Sequence, residues 1–171
     1  MTTTRNFLGI PVEGDINEGE KRAHQKPIED FQPILQAVLN DSTITEFGWQ
    51  QYTPYFNDGD PCTFSAYGTW VRTTSDPEDA DPNDLDVDYN HATLGQMDGG
   101  EWVADPGNSE RRKKVGDTYE GPDKARFDRV KALSRAIDSG EYLDVLLDAF
   151  GDHARITVRR DGIEVEFYEH D

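Results

Sequence analysis

Apolar residues recur at the three-to-four-residue spacing of an amphipathic helix in three segments of the chain. The first begins at Asp30, which we expect to be the N-cap, and ends near Asn40. The second opens at Pro122-Asp123 and is broken by Ser139-Gly140, and the third ends at Gly151. The positions predicted to be buried on these helices are Phe31, Ile34, Leu35, Val38, Leu39, Phe127, Val130, Leu133, Ile137, Tyr142, Leu143, Leu146, Leu147 and Phe150.

The segment between the first two helices begins with the β-branched and aromatic composition of strands. Residues 43–55 and 62–71 have this composition, and Asn57-Asp58-Gly59 supplies turn chemistry between them. Pro54 and Pro61 each remove a ladder donor, so we expect the turn end to be irregular. This pattern predicts a first β-hairpin.

A second hairpin is predicted from Ala154 to Tyr168, where apolar and polar residues alternate on both sides of Asp161-Gly162. With these two residues as the turn, Val158 pairs with Val165, Ile156 with Phe167, and Arg159 with Glu164. We therefore expect the apolar side of this hairpin to pack inward and the polar side to hold a cross-strand ion pair.

Residues 73–121 are poor in apolar residues and rich in Gly, Pro, Asn and Asp. Because isolated apolar residues such as Leu85 and Trp102 remain, we expect an excursion that attaches to the domain in places and has room for a short strand. Residues 1–26 are mostly polar and are expected to form a flexible N-terminal arm.

These elements predict an α+β fold for a chain whose length suits a single domain. The domain spans residues 27–171, and in it two antiparallel β-hairpins pack against about three helices, with the long acidic excursion at about 73–121. No internal repeat is visible.

The charge of the chain limits the classes of partner that it is expected to bind. Thirty-five acidic residues against seventeen basic ones give a formal net charge of −18, which disfavours direct contact with nucleic acid or an anionic membrane. The longest apolar stretches are too short for a membrane-spanning helix. Since Cys62 is the single cysteine, no internal disulfide can form, and a bacterial cytoplasm, or a virus assembled in one, is the expected setting.

Recognition-type residues are densest in the first hairpin. Aromatic rings beside carboxylates could stack a planar ligand and accept hydrogen bonds from its amino groups. The residues of this candidate ligand site are Trp49, Tyr52, Tyr55, Asp58 and Asp60. The alternative, which we favour, is that the rings belong to the core of the sheet and the carboxylates to its turn.

The acidic run between residues 76 and 88 is a candidate protein-interaction surface, because it holds seven acids and no base. These acids are Asp76, Glu78, Asp79, Asp81, Asp84, Asp86 and Asp88. The run lacks the central glycine and the terminal bidentate glutamate of an EF-hand, so calcium binding is weakly supported. A solvated loop is the simpler interpretation.

No motif names a reaction, so no catalytic residue, metal ligand or cofactor is predicted. The histidines His24, His91, His153 and His170 have no zinc-type spacing, and Cys62 is expected to be a buried structural residue. Residues 111–114 form the only basic run and are expected to balance the acidic excursion. Walker, GxGxxG, GxSxG and HExxH motifs are absent from the sequence.

Two stretches resemble a family of small uncharacterised proteins encoded by tailed bacteriophages. They are FGWQQYTPYFNDGDPCTF at residues 47–64, and FGDH at 150–153 with RDGIEVEFYEHD at 160–171. The resemblance covers about half of the chain and leaves out the N-terminal arm and the acidic excursion. It implies a phage origin and transfers no catalytic residue.

Three hypotheses follow for the function. The first is a phage accessory protein, not an enzyme, whose acidic surface engages or inhibits a basic host protein in the bacterial cytoplasm. The second is a small-molecule or nucleotide binder, or an enzyme, that uses the aromatic hairpin. The third is a minor component of the virion. The sequence does not determine the oligomeric state.

Overall fold

The computed structural model describes residues 5–12, 22–56 and 58–170 of the chain. Its helices are α1 (Ile28–Leu39), α2 (Lys124–Asp138) and α3 (Leu143–Phe150), and a 3₁₀ turn covers Pro82–Leu85. Its strands are β1 (Arg5–Phe7), β2 (Ile10–Val12), β3 (Ile44–Tyr52), β4 (Ser65–Thr73), β5 (Gln96–Asp105), β6 (Asn108–Glu120), β7 (Ala154–Arg159) and β8 (Gly162–Phe167). The chain is thus a single α+β domain, as the sequence predicts.

The centre of the domain is a four-stranded antiparallel sheet in the order β4-β3-β7-β8. One face of this sheet packs against the helices, because the apolar residues of β3, β4 and β7 alternate toward them. The largest fully buried side chains of the core include Phe47, Trp49, Leu133, Leu146 and Ile156.

All three predicted helices are present, and local residues account for the start of α2 and the end of α3. Asp123 caps α2, since its carboxylate accepts from the Arg126 N–H at 3.1 Å. Gly151 ends α3 with φ +78°, a value that glycine adopts without strain. The expectation that Asp30 caps α1 is wrong: Pro27 is the N-cap, and Asp30 lies in the first turn, where its charge favours the helix dipole.

The first predicted hairpin is formed by β3 and β4. Residues 53–64 join the two strands, and Asn57 of the predicted turn lies outside the described residues. Of the N-terminal arm, β1 and β2 form a small hairpin. Residues 22–26 are attached to the loop between α2 and α3: the Lys26 N–H donates to Glu141 O at 2.8 Å, and Gln25 Nε2 donates to Gly140 O at 2.7 Å.

The second predicted hairpin is formed by β7 and β8, but its register differs from the predicted one by two residues. Arg159 pairs with Gly162, so Arg160 and Asp161 make the turn. None of these turn residues has a positive φ, and the turn therefore lacks the geometry that favours Asp-Gly. The Arg159–Glu164 ion pair still forms diagonally, at 3.0 Å.

The apolar side of β8 is not packed inward, contrary to expectation. Ile163 and Val165 are each 47% exposed, and Phe167 is 71% exposed. The sheet extends past the helices at this edge, so that no helix among the described residues covers the apolar face of the last strand.

The excursion at residues 73–121 contains two different structures. Residues 73–95 fold back along β4, where Trp70 forms an isolated bridge with Asp86. Residues 96–120, for which we expected room for only a short strand, form the long β5–β6 hairpin. These two strands contact mainly each other, and both faces are largely exposed except at the base, where Tyr119 packs against the core. The sequence therefore shows no apolar alternation.

No helix within the described ranges is long and apolar enough to cross a membrane.

Candidate functional site

The acidic run at residues 76–88, here called the acidic segment, is attached to the sheet by a buried arginine. Arg72 is only 6% exposed, and its guanidinium donates to the carbonyl oxygens of Pro77 and Ala80. Its Nε also donates to Glu46 Oε1 at 2.9 Å, while Arg159 binds the other oxygen of Glu46 at 2.7 Å. Burial raises the pKa of Glu46, but the two arginines outweigh it and hold that pKa below its ordinary value.

Asp76, the first acid of the segment, is an internal anchor and not a surface charge. Its side chain accepts from the Thr73 N–H at 2.8 Å and from the Thr93 hydroxyl at 2.9 Å. The Thr73 hydroxyl donates to it as well, at 3.1 Å. A carboxylate with these three donors links Thr73 and Thr93, which flank the segment, and so holds its first residue near the end of β4.

His91 adds a second set of buried contacts beside Asp76. It is 3% exposed, and its Nε2 lies 2.6 Å from Val71 O, while the Leu94 N–H lies 3.3 Å from its Nδ1. A carbonyl on one ring nitrogen and an amide donor on the other fit the neutral tautomer with the proton on Nε2. His91 is therefore a satisfied structural histidine.

Three further acids of the segment are used in local contacts. Asp81 caps the 3₁₀ turn by accepting from the Asn83 N–H at 2.9 Å, and Asp86 accepts from the Asp88 N–H at 2.8 Å. Asp88 itself forms an ion pair with Lys131 of α2.

The other three acids, Glu78, Asp79 and Asp84, are exposed. Their side chains make no hydrogen bond or ion pair with any residue that the structure describes. The predicted interaction surface is thus reduced from seven carboxylates to three that are available, on a backbone held by Arg72, Asp76 and the buried Leu85.

Carboxylates crowd at the far end of the segment. Burial raises the pKa of Asp86, and repulsion by Asp88 adds to this effect, so that together they outweigh the Asp88 N–H bond. Partial desolvation, with repulsion by Asp88 and Asp86, likewise raises the pKa of Asp138. The segment therefore keeps negative charge together at a cost in stability.

A pocket of about 90 Å³ lies between the acidic segment and the open face of the sheet. Gln50, Trp70 and Arg155 line it from the strands, and Asp81 and Asp86 line it from the segment. Trp70 is 6% exposed, and its indole N–H donates to no residue that the structure describes. The pocket therefore offers both donors and acceptors beside a large aromatic ring.

The predicted ligand-binding residues do not form one site. Trp49 is 1% exposed, packs edge-on against Phe150 and donates to Gln51 Oε1 at 3.1 Å, so it belongs to the core. Although Trp49 is among the lining residues of the pocket, its ring is held by core contacts. Asp58 and Asp60 are exposed, and their side chains make no hydrogen bond or ion pair with a described residue.

Tyr52 and Tyr55 do come together, at the end of the sheet, in a cluster of rings that includes two histidines. Tyr55 stacks on His170 at 4.4 Å and on His153 at 5.0 Å between ring centroids. His153 Nδ1 and His170 Nε2 are 2.8 Å apart, which requires one of the two to be an unprotonated acceptor. Tyr52 lies 3.9 Å from the His170 ring.

This ring cluster attaches the C-terminal residues to the first hairpin. Asp152 supports it by accepting from the Thr53 N–H at 2.8 Å and from the Thr53 hydroxyl at 2.6 Å. Burial raises the pKa of Asp152, but these hydrogen bonds prevail and lower that pKa. Among the described residues, no group of three or more His, Cys, Asp or Glu side chains is arranged to hold a metal ion.

The structure corrects one side-chain expectation. Cys62 is exposed and not buried, because the loop that carries it leaves the sheet after Tyr52. The basic run at 111–114 lies on β6, inside the excursion whose acids it was expected to balance, and its side chains form no ion pair with a described acid. Arg112 instead donates to Trp102 O, at 2.8 Å, within the same hairpin.

Sequence reasoning missed Arg72, Trp70 and Arg155, which organise the segment and the pocket. Arg72 had one available signal, since it is a lone cation inside an apolar strand sequence, and such a charge is expected to have buried partners. The contact between His153 and His170 had no local signal, because it depends on the pairing of β7 with β8.

Comparison of the chain with protein-family models, with curated proteins and with solved structures found no match.

Proposed function

We propose that this chain is a non-enzymatic accessory protein of a tailed bacteriophage that engages or inhibits a host protein in the bacterial cytoplasm by binding its basic surface. The phage origin rests on the resemblance of residues 47–64 and of the C-terminal stretches. The binding role rests on the acidic segment.

One observation carries the proposal: Glu78, Asp79 and Asp84 are unpaired, yet the backbone that bears them is anchored. Arg72 holds the carbonyls of Pro77 and Ala80. Carboxylates presented by an ordered backbone lose less conformational entropy on binding than those of a free loop. They also complement a basic surface and accelerate its approach, given the net charge of −18.

The test is a pull-down from bacterial lysate at low and high salt, followed by affinity measurements on the purified captured protein. We expect a basic protein whose binding weakens with salt. The variant Glu78→Gln/Asp79→Asn/Asp84→Asn should lower the affinity by about tenfold at low salt, because rim ion pairs contribute roughly 0.2–1 kcal/mol each.

A matched control removes the same number of charges elsewhere. Glu101, Glu110 and Glu120 are exposed on the β5–β6 hairpin, and their side chains make no hydrogen bond or ion pair with a described residue. Replacing these three by glutamine should leave the affinity within about twofold of the wild type. Equal losses in both variants would show that only net charge matters, and would overturn the role of the acidic segment.

A second candidate function is the binding of a small polar molecule in the pocket beside Trp70. The unpaired indole N–H of that residue, together with the carboxylates and Arg155, favours a ligand that both accepts and donates hydrogen bonds. Mass spectrometry of molecules released from the purified protein tests this function. Gln50→Ala should remove the bound molecule without lowering the unfolding temperature, and the absence of any released molecule would speak against this candidate.

A further inference from the structure

The two edges of the four-stranded sheet differ. The β4 edge is covered by the acidic segment, through the Trp70–Asp86 bridge and the bond from the Val87 N–H to Thr69 O at 3.0 Å. The β8 edge has no neighbouring strand among the described residues. An uncovered edge is a template for pairing with another extended chain.

The register of β7 and β8 determines which groups this edge offers. The Tyr168 N–H donates to His153 O, and in an antiparallel ladder the bonded pairs alternate. Glu164 and Glu166 therefore point their backbone groups toward β7. Ile163, Val165 and Phe167 point theirs toward the open edge.

The same three residues carry the exposed apolar side chains of β8, on the face of the sheet that covers the core. Glu164 and Glu166 project from the opposite face, and Glu166 makes no ion pair with a described residue. Glu164 shares its carboxylate with Arg159. One strand thus presents free backbone groups, an apolar row and an acidic row in fixed register.

Charge decides which chain fits this edge. A second copy paired antiparallel about Val165 would bring Glu164 opposite Glu166 of the other copy, and like charges directly opposite are destabilising. The net charge of −18 adds a general repulsion between copies. A strand that alternates apolar residues with lysine or arginine would match both rows.

We propose that β8 is a docking edge for an extended segment of a partner protein that alternates apolar and basic residues and adds antiparallel to the sheet. The partner's apolar side chains contact Ile163, Val165 and Phe167, and its basic side chains face Glu164 and Glu166. This inference rests on the proposed function, because it gives the basic host partner a specific mode of binding.

The probe is a fluorescent peptide that alternates valine and lysine, with a peptide of the same composition in blocks as its control. In the bound geometry the valine N–H groups face β8. N-methylation of the valines should abolish binding, whereas N-methylation of the lysines should leave it within about threefold. This comparison leaves the protein unchanged, so a folding defect cannot account for it.

Hydrogen exchange and one variant test the edge from the protein side. The peptide should slow exchange at Ile163, Val165 and Phe167 and leave the already paired Glu164 and Glu166 unchanged. Val165→Pro removes one edge donor and should weaken binding about tenfold, while Val165→Ala should weaken it about threefold at most.

The outcomes separate this inference from the proposed function. If the peptide does not bind, or binds equally with methylated valines, β8 is not the docking edge. A captured basic protein that still depends on Glu78, Asp79 and Asp84 would then leave the proposed function intact. A dimer that forms without peptide and is abolished by Val165→Pro would overturn the basic partner in favour of a second copy.

Discussion

The two halves of the excursion are both poor in apolar residues, yet their structures are opposite. Residues 73–95 are acidic but anchored, because Arg72, Asp76 and His91 bury their polar groups with matched partners. Residues 96–120 form a hairpin whose strands contact mainly each other. A polar sequence therefore does not by itself indicate whether a segment is anchored on the domain or projects from it. In this chain the difference is made by a small number of buried polar anchors.

The largest loss of stability in the anchored half is expected from Arg72→Met. The variant leaves the carbonyls of Pro77 and Ala80 without their donor and Glu46 with only Arg159. Loss of one partner of a buried ion pair costs about 3 kcal/mol in the free energy of unfolding, and we expect a loss of this size. Urea unfolding measures it, and hydrogen exchange should accelerate at residues 74–81.

The hairpin offers the control for this prediction. Arg112→Met also removes an arginine that donates to a carbonyl, but at an exposed site. Its unfolding midpoint should match that of the wild type. If Arg72→Met were equally silent, the anchored half would depend on something other than this arginine.

A smaller loss is expected from Asp76→Ala, because the backbone N–H of Thr73 and the Thr93 hydroxyl lose their acceptor. A buried donor left unsatisfied costs about 1–3 kcal/mol, so we expect a decrease of about 2 kcal/mol in the free energy of unfolding. Asp98→Asn on the hairpin is the comparison, since its exposed carboxylate bonds only the next N–H. Similar losses at the two sites would contradict the anchoring role of Asp76.

The pH dependence of stability should distinguish Glu46, the carboxylate that Arg72 binds, from the exposed acids. Since the folded pKa of Glu46 lies below its unfolded value, its contribution to stability is present at neutral pH and is lost as the pH falls through that folded pKa. The stability difference between the wild type and Glu46→Gln should therefore be largest near neutrality and shrink in acid. Urea midpoints across this range measure it, and a difference that is constant with pH would contradict the arginine–carboxylate account.

The sequence predicts the helices, both main hairpins and the fold class, because each of these depends on local periodicity and on turn or capping residues such as Asp123 and Gly151. It does not predict the register of β8, where the Asp161-Gly162 pair suggests a turn that the chain does not use. It also does not predict the exposure of Phe167, since an alternating strand looks the same whether or not another layer covers it. The division of the seven acids into buried, paired and available groups depends on Thr93 and Lys131, which contact Asp76 and Asp88 only in the folded chain.

The smallest change in stability is expected when one of the crowded negative charges of the anchored half is removed. Burial and the repulsion of Asp88 raise the pKa of Asp86, so at neutral pH its ionised form lowers the stability of the folded state. Asp86→Asn should raise the free energy of unfolding by less than about 1 kcal/mol, because an asparagine oxygen can still accept from the Asp88 N–H. Urea unfolding at neutral pH measures the gain, which should vanish as the pH falls and the wild-type carboxyl becomes protonated.

Asp84→Asn removes the same charge from the neighbouring exposed position and should change stability by much less. A loss of stability in Asp86→Asn would mean that the segment needs this charge for its own structure. A gain would mean that the anchored half holds a carboxylate that its fold does not need. A surface that binds a basic partner requires such a charge, whereas a projecting hairpin does not.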